Sequence, residues 1–347
     1  MTNHQLPITN YQSRICIVPK VHGVGGMVSF LHKFSVAVEK QGVAVTNDLM
    51  DTPYNAVLVI GGTRDLASLY RAKQRGVRIV QRLDGINWIH RRKSTSLKHA
   101  LRAEYGNFVL SLVRRFLADR IVYQSEFSRV WWDDWFGRLE TPFSVVHNGV
   151  DLDVYKPVGQ VSDLSYKLLV VEGSLGGGHE GGLANAIWLA EAASKLVSKP
   201  LELVVVGGVS EALKAEWVAR SAVSIHWAGL VGREAIPALM NESHALFSAD
   251  VHPACPNSVI EALACGLPVV AYETGSLAEL VTPEAGIVAP YGANPWKLEP
   301  PTVAPLAHGL AHVLENQEKF RAGARARAEA AFDVQVMMEK YLEALLG

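Results

Sequence analysis

Cysteine is scarce in this chain: Cys16, Cys255 and Cys265 are the only ones in 347 residues, and they lie far apart. Such spacing fits neither a disulfide framework nor a paired-cysteine metal centre, and it suits a reducing, cytoplasmic compartment. A surplus of positive charge is missing as well. The formal net charge is -1, whereas non-specific nucleic-acid binding rests on a strong excess of Lys and Arg, so no nucleic-acid partner is expected and any basic patch must be local. Long apolar runs are also lacking. The opening MTNHQLPITNYQSR has no signal-peptide core, and no later segment approaches the ~18 apolar residues of a membrane span. These absences predict a soluble cytoplasmic protein that can still rest on the inner face of a membrane.

What is present is alternation. Short β-branched runs are each followed by turn residues and a helical pattern: RICIVP, AVLVIGG, VRIVQRLDG and RIVYQS in the first half, KLLVVEG, LELVVVGG, ALFSA and LPVVAY in the second. Continuous apolar strands between amphipathic helices indicate parallel sheets covered on both faces. Two such series, in a chain too long for one hydrophobic core, predict an α/β protein of two Rossmann-like domains. The break falls in FSVVHNGVDLDVYKPVGQVSDLSYK, where Asn148-Gly149 makes a turn and Pro157 and Gly159 interrupt regular structure, dividing the chain into 1–157 and 158–332. Ligands of such sheets bind beyond the carboxyl ends of the strands, so the loops there carry the candidate chemistry.

Three of those loops stand out. VHGVGGMVSFLHKFSVAVEKQG follows the first strand, and Gly23, Gly25 and Gly26 let backbone N–H groups approach an anion at the start of a helix. A third glycine of G-x-G-x-x-G is missing, so a structural tight turn and a dinucleotide site compete with that reading. EGSLGGGHEGG, residues 172–182, combines glycines with Ser174, His179 and Glu180 and can surround a phosphate; without a Lys-Ser/Thr pair it is not a Walker loop. In HPACPNSVIEALACGLPVV, prolines shape a turn, Asn257 or Ser258 can cap a short helix, and Glu261 lies one turn in, where a carboxylate can accept from two ribose hydroxyls. For any lone glutamate the alternative is a solvated helix position.

The GVGG loop and its helix, the linker HNGVDLDVYKP and above all PNSVIEALACGLPVVAYETGSLAELV resemble the retaining glycosyltransferases of family 4. The likeness continues through GIVAPYG to FDVQVMMEKYLEALL, which is similar to the family's last helix, so residues 333–347 are expected to rejoin the first domain. The resemblance implies the GT-B fold, with two Rossmann-like domains facing each other across a cleft that takes a nucleotide-sugar. It further implies transfer of a sugar, with retention, to a hydroxyl of a saccharide or glycolipid acceptor, using neither a metal nor another cofactor.

Residue by residue, Glu261 matches the second glutamate of the family's E-x7-E motif, the ribose ligand, and Pro253 stands where the first glutamate is usual. His252 and the backbone N–H groups of Ala254, Cys255, Asn257 and Ser258 are left to meet the sugar hydroxyls. The family's diphosphate-binding Arg-Lys pair is replaced by Ser174 and His179. A charged His179 and the backbone of Gly25, Gly26, Gly173, Gly177 and Gly178 would have to compensate. Gly207-Gly208 and Gly229-Leu230-Val231 would approach the base.

On the acceptor side, QRLDGINWIHRR aims Arg82, Asp84 and His90 at the cleft. Asp84 can orient an acceptor hydroxyl and Arg82 a phosphate, or the two can pair and fix the loop. Ser125, after the next strand, is expected to line the same cleft. Asp133-Asp134 reads as two solvated helix carboxylates, since no Asp-x-Asp marks a strand end and no metal site is expected. Residues 91–120 hold eight Lys/Arg against Glu104 and Asp119, around a stripe of Leu97, Leu101, Tyr105, Phe108, Leu112 and Phe116. That segment can contact anionic lipid headgroups, although such stripes more often pack on their own domain. The changes at 174, 179 and 253 keep a second function in view, a catalytically weak nucleotide-sugar-binding protein. Two Rossmann patterns also admit an NAD-dependent oxidoreductase.

Overall fold

The computed structural model describes residues 13–23, 25–93, 96–159, 161–176 and 180–347; Gly177, Gly178 and His179 of the second glycine loop therefore lie outside the described residues. The first series of strands, β1 (Ser13–Val18), β2 (Val43–Thr46), β3 (Ala56–Ile60), β4 (Arg78–Leu83), β5 (Arg120–Tyr123) and β6 (Phe143–Val145), forms a six-stranded sheet in the order β2-β1-β3-β4-β5-β6. The second, β7 (Tyr166–Ser174), β8 (Leu201–Gly208), β9 (Ser224–Gly229), β10 (Ala245–Phe247), β11 (Val269–Tyr272) and β12 (Gly286–Ala289), forms another in the order β12-β11-β10-β7-β8-β9. Every pairing is parallel. β3, with all five residues buried, shows why its run AVLVI has no polar face. β6, β9 and β12 were not evident as strands; each is an outer edge, β6 and β9 with half-buried or exposed residues and polar interruptions, and β12 only four residues long.

Helices α1 (Gly26–Lys40), α2 (Leu66–Gln74), α3 (Leu97–Leu112) and α4 (Glu126–Phe136) serve the first sheet, with a π-helical turn at Val113–Leu117 extending α3. The second sheet is flanked by α5 (Glu180–Ala193), α6 (Glu211–Arg220), α7 (Ile236–Asn241), α8 (Asn257–Ala264), α9 (Leu277–Leu280), α10 (Val303–Glu315) and α11 (Gln317–Ala331). A last helix, α12 (Val334–Leu346), returns to the first sheet, where Met337, Met338, Tyr341 and Leu345 share a core with Phe30, Phe34 and Val80.

Two chain crossings join the domains side by side. Val150 N–H donates to Phe332 O at 2.8 Å, and Val334 N–H donates back to Val150 O at 3.0 Å. A Cβ on Gly149 would lie 2.7 Å from Val334 Cα, so only glycine allows the crossings to approach this closely.

A second seam joins α4 to the other domain. Ser125 caps the helix internally through the Ser128 N–H at 3.0 Å, while Glu279 from α9 accepts the N–H groups of Glu126 at 2.9 Å and Phe127 at 2.6 Å. Burial works to raise the Glu279 pKa, but His147 and these two N–H groups outweigh it, and the carboxyl titrates below its ordinary value. A depressed carboxylate stabilises the fold fully above its unfolded pKa and loses that contribution as pH falls through the folded one. Glu279→Gln should therefore cost about 1–2 kcal/mol at neutral pH, as loss of a helix cap does. It should also flatten the decline in stability below pH 4.5. Urea unfolding across an acid series checks this; an acid branch identical to wild type would reject it.

Candidate functional site

Between the carboxyl ends of the two sheets lies a cleft of about 960 Å³, at the upper end of the range for small-molecule sites. Gly25, Gly26, Arg82, Asp84 and His90 line it from the first domain, and Gly173, Leu230, Cys255, Asn257, Ser258 and Glu261 from the second. The sequence-predicted residues thus converge from segments as distant in the chain as Gly25 and Glu261.

The starts of α1 and α8 adjoin on the wall of this cleft. Gly25, with φ of 131°, precedes α1, and a Cβ on Gly26 would lie 3.7 Å from Asn257 Nδ2. Neither helix has a side-chain cap. The expected cap by Asn257 or Ser258 is not made, because Pro256 holds the cap position and α8 begins at Asn257, whose Oδ1 is buried without a partner among the described residues. Two uncapped helix starts leave backbone N–H groups and the positive ends of two helix dipoles directed at one space, an arrangement that attracts anions.

Glu261 lies one turn into α8 but is not solitary. Lys33 Nζ from α1 donates to its Oε1 at 2.8 Å and to the Gly149 carbonyl in the linker at 3.2 Å. The side chains of Lys33 and Glu261 are only 12% and 11% exposed. Oε2 makes no hydrogen bond among the described residues, so one carboxylate oxygen faces the cleft while the other is held by the opposite domain. Lys33 was legible only as one polar position in a helix, and nothing in the sequence linked it to a residue 228 positions away.

Arg82 does not form an ion pair with Asp84. It is fully buried, its Nη2 donates to Asn148 Oδ1 at 2.8 Å, and its guanidinium lies 4.0 Å from the Phe30 ring centroid. Asn148 in turn donates to Cys255 O at 2.8 Å, while its N–H meets Cys255 Sγ at 3.2 Å. A relay therefore runs from β4 through the linker into the α8 loop. Burial pushes the Asp84 carboxyl up, with Arg82 partly opposing it, and the Asp84 carbonyl accepts from Trp132 Nε1 at 2.7 Å. His90 Nε2 contacts Glu104 at 2.8 Å.

Several expectations are corrected. Ser125 is fully buried as the cap of α4 and does not line the cleft. Ser174 is exposed at the end of β7, paired in register with Gly208, and neither belongs to the cleft wall. Asp133 is not merely solvated, since Arg114 and Arg129 both bind it, at 2.7 Å and 2.9 Å. His252 does line the cleft, yet its ring is stacked 3.7 Å from that of Trp296, with Trp88 against its edge, and neither nitrogen has a partner among the described residues. Burial lowers its pKa to about 4, so the ring is neutral.

Among the lining residues that escaped the sequence reading are three charged ones, Arg233, Glu172 and Asp250. Burial, and then the neighbouring Asp250 charge, push the Glu172 carboxyl well above the usual range. Both acids interrupt or follow apolar runs whose strand signal hid them.

Residues 175–316 match the family described as "Glycosyl transferases group 1". Solved structures match over nearly the whole chain. Sucrose-phosphate synthase from Thermosynechococcus elongatus gives a TM-score of 0.72 at 16% identity, over 96% of this chain and 98% of that one. Anabaena HepE in complex with UDP-glucose gives 0.69 at 15%, over 96% and 99%. WaaG, a glycosyltransferase involved in lipopolysaccharide biosynthesis, gives 0.67 at 16%, over 96% and 100%. The fold is GT-B. No curated protein sequence matches the chain. At these identities the likeness establishes architecture, and the chemistry has to be argued from the cleft.

The Lys33–Glu261 pair gives a direct test. Lys33→Met strands a largely buried carboxylate and should cost about 2–4 kcal/mol, whereas Lys33→Met combined with Glu261→Gln should recover at least half of that loss. Chemical unfolding of the four-member cycle decides; additive losses would show that the two groups are not coupled.

Proposed function

We propose that this protein transfers a sugar from a nucleotide-sugar to an acceptor hydroxyl, with retention and without a metal. The observation that carries the proposal is the convergence of two uncapped helix starts with Glu261 one turn beyond. The diphosphate would lie in the cleft against the adjoining starts of α1 and α8, within reach of the N–H groups at Gly25-Gly26 and Asn257-Ser258 and near Gly173. Ribose would meet the free Oε2 of Glu261, and the base would rest against Leu230 and Val231. The UDP-glucose in the HepE structure supports a donor of this class.

Anion binding without the usual Arg-Lys pair is consistent with this geometry. Helix starts supply fixed N–H donors that do not have to reorganise as charge builds on the leaving phosphate. Arg233, exposed in the 3-10 turn after β9, lines the cleft and would supply a positive charge to the donor. In a retaining reaction of this type the leaving phosphate helps deprotonate the acceptor, leaving Asp84 and His90 to position it. Domain closure would exclude water and favour transfer over hydrolysis.

Glu172 favours a second reading, a protein that binds the donor with little turnover. A carboxyl beside the diphosphate weakens the site whenever it is ionised. Its raised pKa means that it is neutral at lower pH and ionises as pH rises, so donor affinity should fall with increasing pH, and Glu172→Gln should flatten that dependence. Isothermal titration with UDP- and GDP-sugars across pH 6 to 9, about three units of range, reads this directly.

Glu261→Gln should weaken donor binding by about tenfold or more, the loss of a charge-assisted hydrogen bond. The measurement is the ligand-induced rise in melting temperature, each protein compared with its own unliganded form. An unchanged rise would remove Glu261 from the donor site. Donor binding with neither transfer nor slow hydrolysis, for any acceptor, would favour the second reading, and turnover abolished by EDTA would refute metal independence.

A further inference from the structure

α3 is apolar on two faces. Its inward face carries Asn107 and Val109, both buried, with Leu110 and Leu112 half-buried against the core, and Asn107 exchanges hydrogen bonds with the Asn87 backbone at 3.0 Å and 2.8 Å. Four further large apolar side chains point the other way: Leu97 is 76% exposed, Leu101 63%, Tyr105 52% and Phe108 60%. Spacings of four, four and three keep these four on one stripe. Phe116 in the following π-helical turn is exposed as well. Soluble surfaces scatter such residues singly, and a contiguous row marks an interface.

The charge around the stripe identifies what it meets. Arg92, Lys98, Arg102 and Arg115 are exposed and form no ion pair among the described residues. The acids of the same segment are occupied, Glu104 by Arg91 and Asp119 by Lys73. An apolar row edged by uncompensated cations complements an anionic bilayer, whose interface takes up the row while its headgroups pair with the cations. A second copy of this chain would place those cations against each other.

One edge of α3 also belongs to the cleft: His99, Arg102 and Ala103 line its first-domain wall. We propose that α3 docks this protein on an anionic phospholipid bilayer and opens the acceptor side of the cleft toward the membrane surface. The location of the acceptor rests on the glycosyl-transfer reading, whereas the docking does not.

Co-sedimentation of the full chain with phosphatidylcholine vesicles, with and without about 30 mol % phosphatidylglycerol, tests the docking. Binding is expected to be about tenfold or more tighter to the anionic vesicles and to weaken as salt rises from about 0.1 M to about 0.5 M. Leu101→Ser with Phe108→Ser should reduce binding about tenfold or more, and Arg92→Gln with Lys98→Gln and Arg115→Gln should remove the preference for anionic lipid. All five positions are exposed and lie off the cleft wall, so the rise in melting temperature with a soluble nucleotide-sugar should be unchanged in both variants. No sedimentation of wild type, or equal sedimentation of wild type and the Leu101/Phe108 variant, would overturn the docking. So would a dimer in sedimentation velocity that the Leu101/Phe108 variant dissociates. Loss of nucleotide-sugar binding in wild type with vesicle binding intact would instead refute the glycosyl-transfer reading alone.

Discussion

Lys33 reaches from one domain to Glu261 in the other with both side chains nearly nine-tenths buried, so neither charge regains its hydration unless the domains part. Beside it, Arg82, Asn148 and Cys255 form a second buried polar connection through the same junction. Apolar contacts slide at modest cost, but charges and directed hydrogen bonds in a low-dielectric setting tolerate few relative positions of their partners. These connections tie the two walls of the cleft together at this junction. Lys33 also decides which oxygen of Glu261 is left free toward the cleft.

The same junction bears on whether an acid-bearing wall would accept the anionic donor proposed above. Glu261 is neutralised by Lys33, Glu172 is held toward its protonated form by burial and by Asp250, and both helix starts present N–H groups. Counting side-chain charges along the wall misjudges its potential, since much of the positive potential comes from peptide dipoles that carry no formal charge.

The interior strands, the presence of two sheets and the place of Glu261 on a cleft-lining helix were legible because each has a local signature: an unbroken apolar run, a repeated series of such runs, a motif of fixed spacing. The edge strands β6, β9 and β12 were not, because β6 and β9 are half solvated and carry polar residues, and β12, Gly-Ile-Val-Ala, is only four residues long. Lys33 and Glu279 were missed for another reason. Each acts across the interface on a partner more than 150 positions away, and no periodicity encodes such a pairing. Ser125 shows the opposite failure: its position after a strand suggested the cleft, but a serine that precedes a helix can also be its cap, and here the backbone N–H of Ser128 claims the hydroxyl. The stripe on α3 was visible in outline, while only the structure shows which way it faces.

α12 has a consequence for biosynthesis. Phe30, Phe34 and Val80 are covered by Met337, Met338 and Tyr341, which are synthesised after the whole second sheet. The first domain must therefore wait through the translation of the second with one flank of its sheet open. Since domains ordinarily complete themselves in order of synthesis, this chain has a built-in interval in which its early half is vulnerable to chaperones, proteases and misassociation, and the interval closes only when α12 docks.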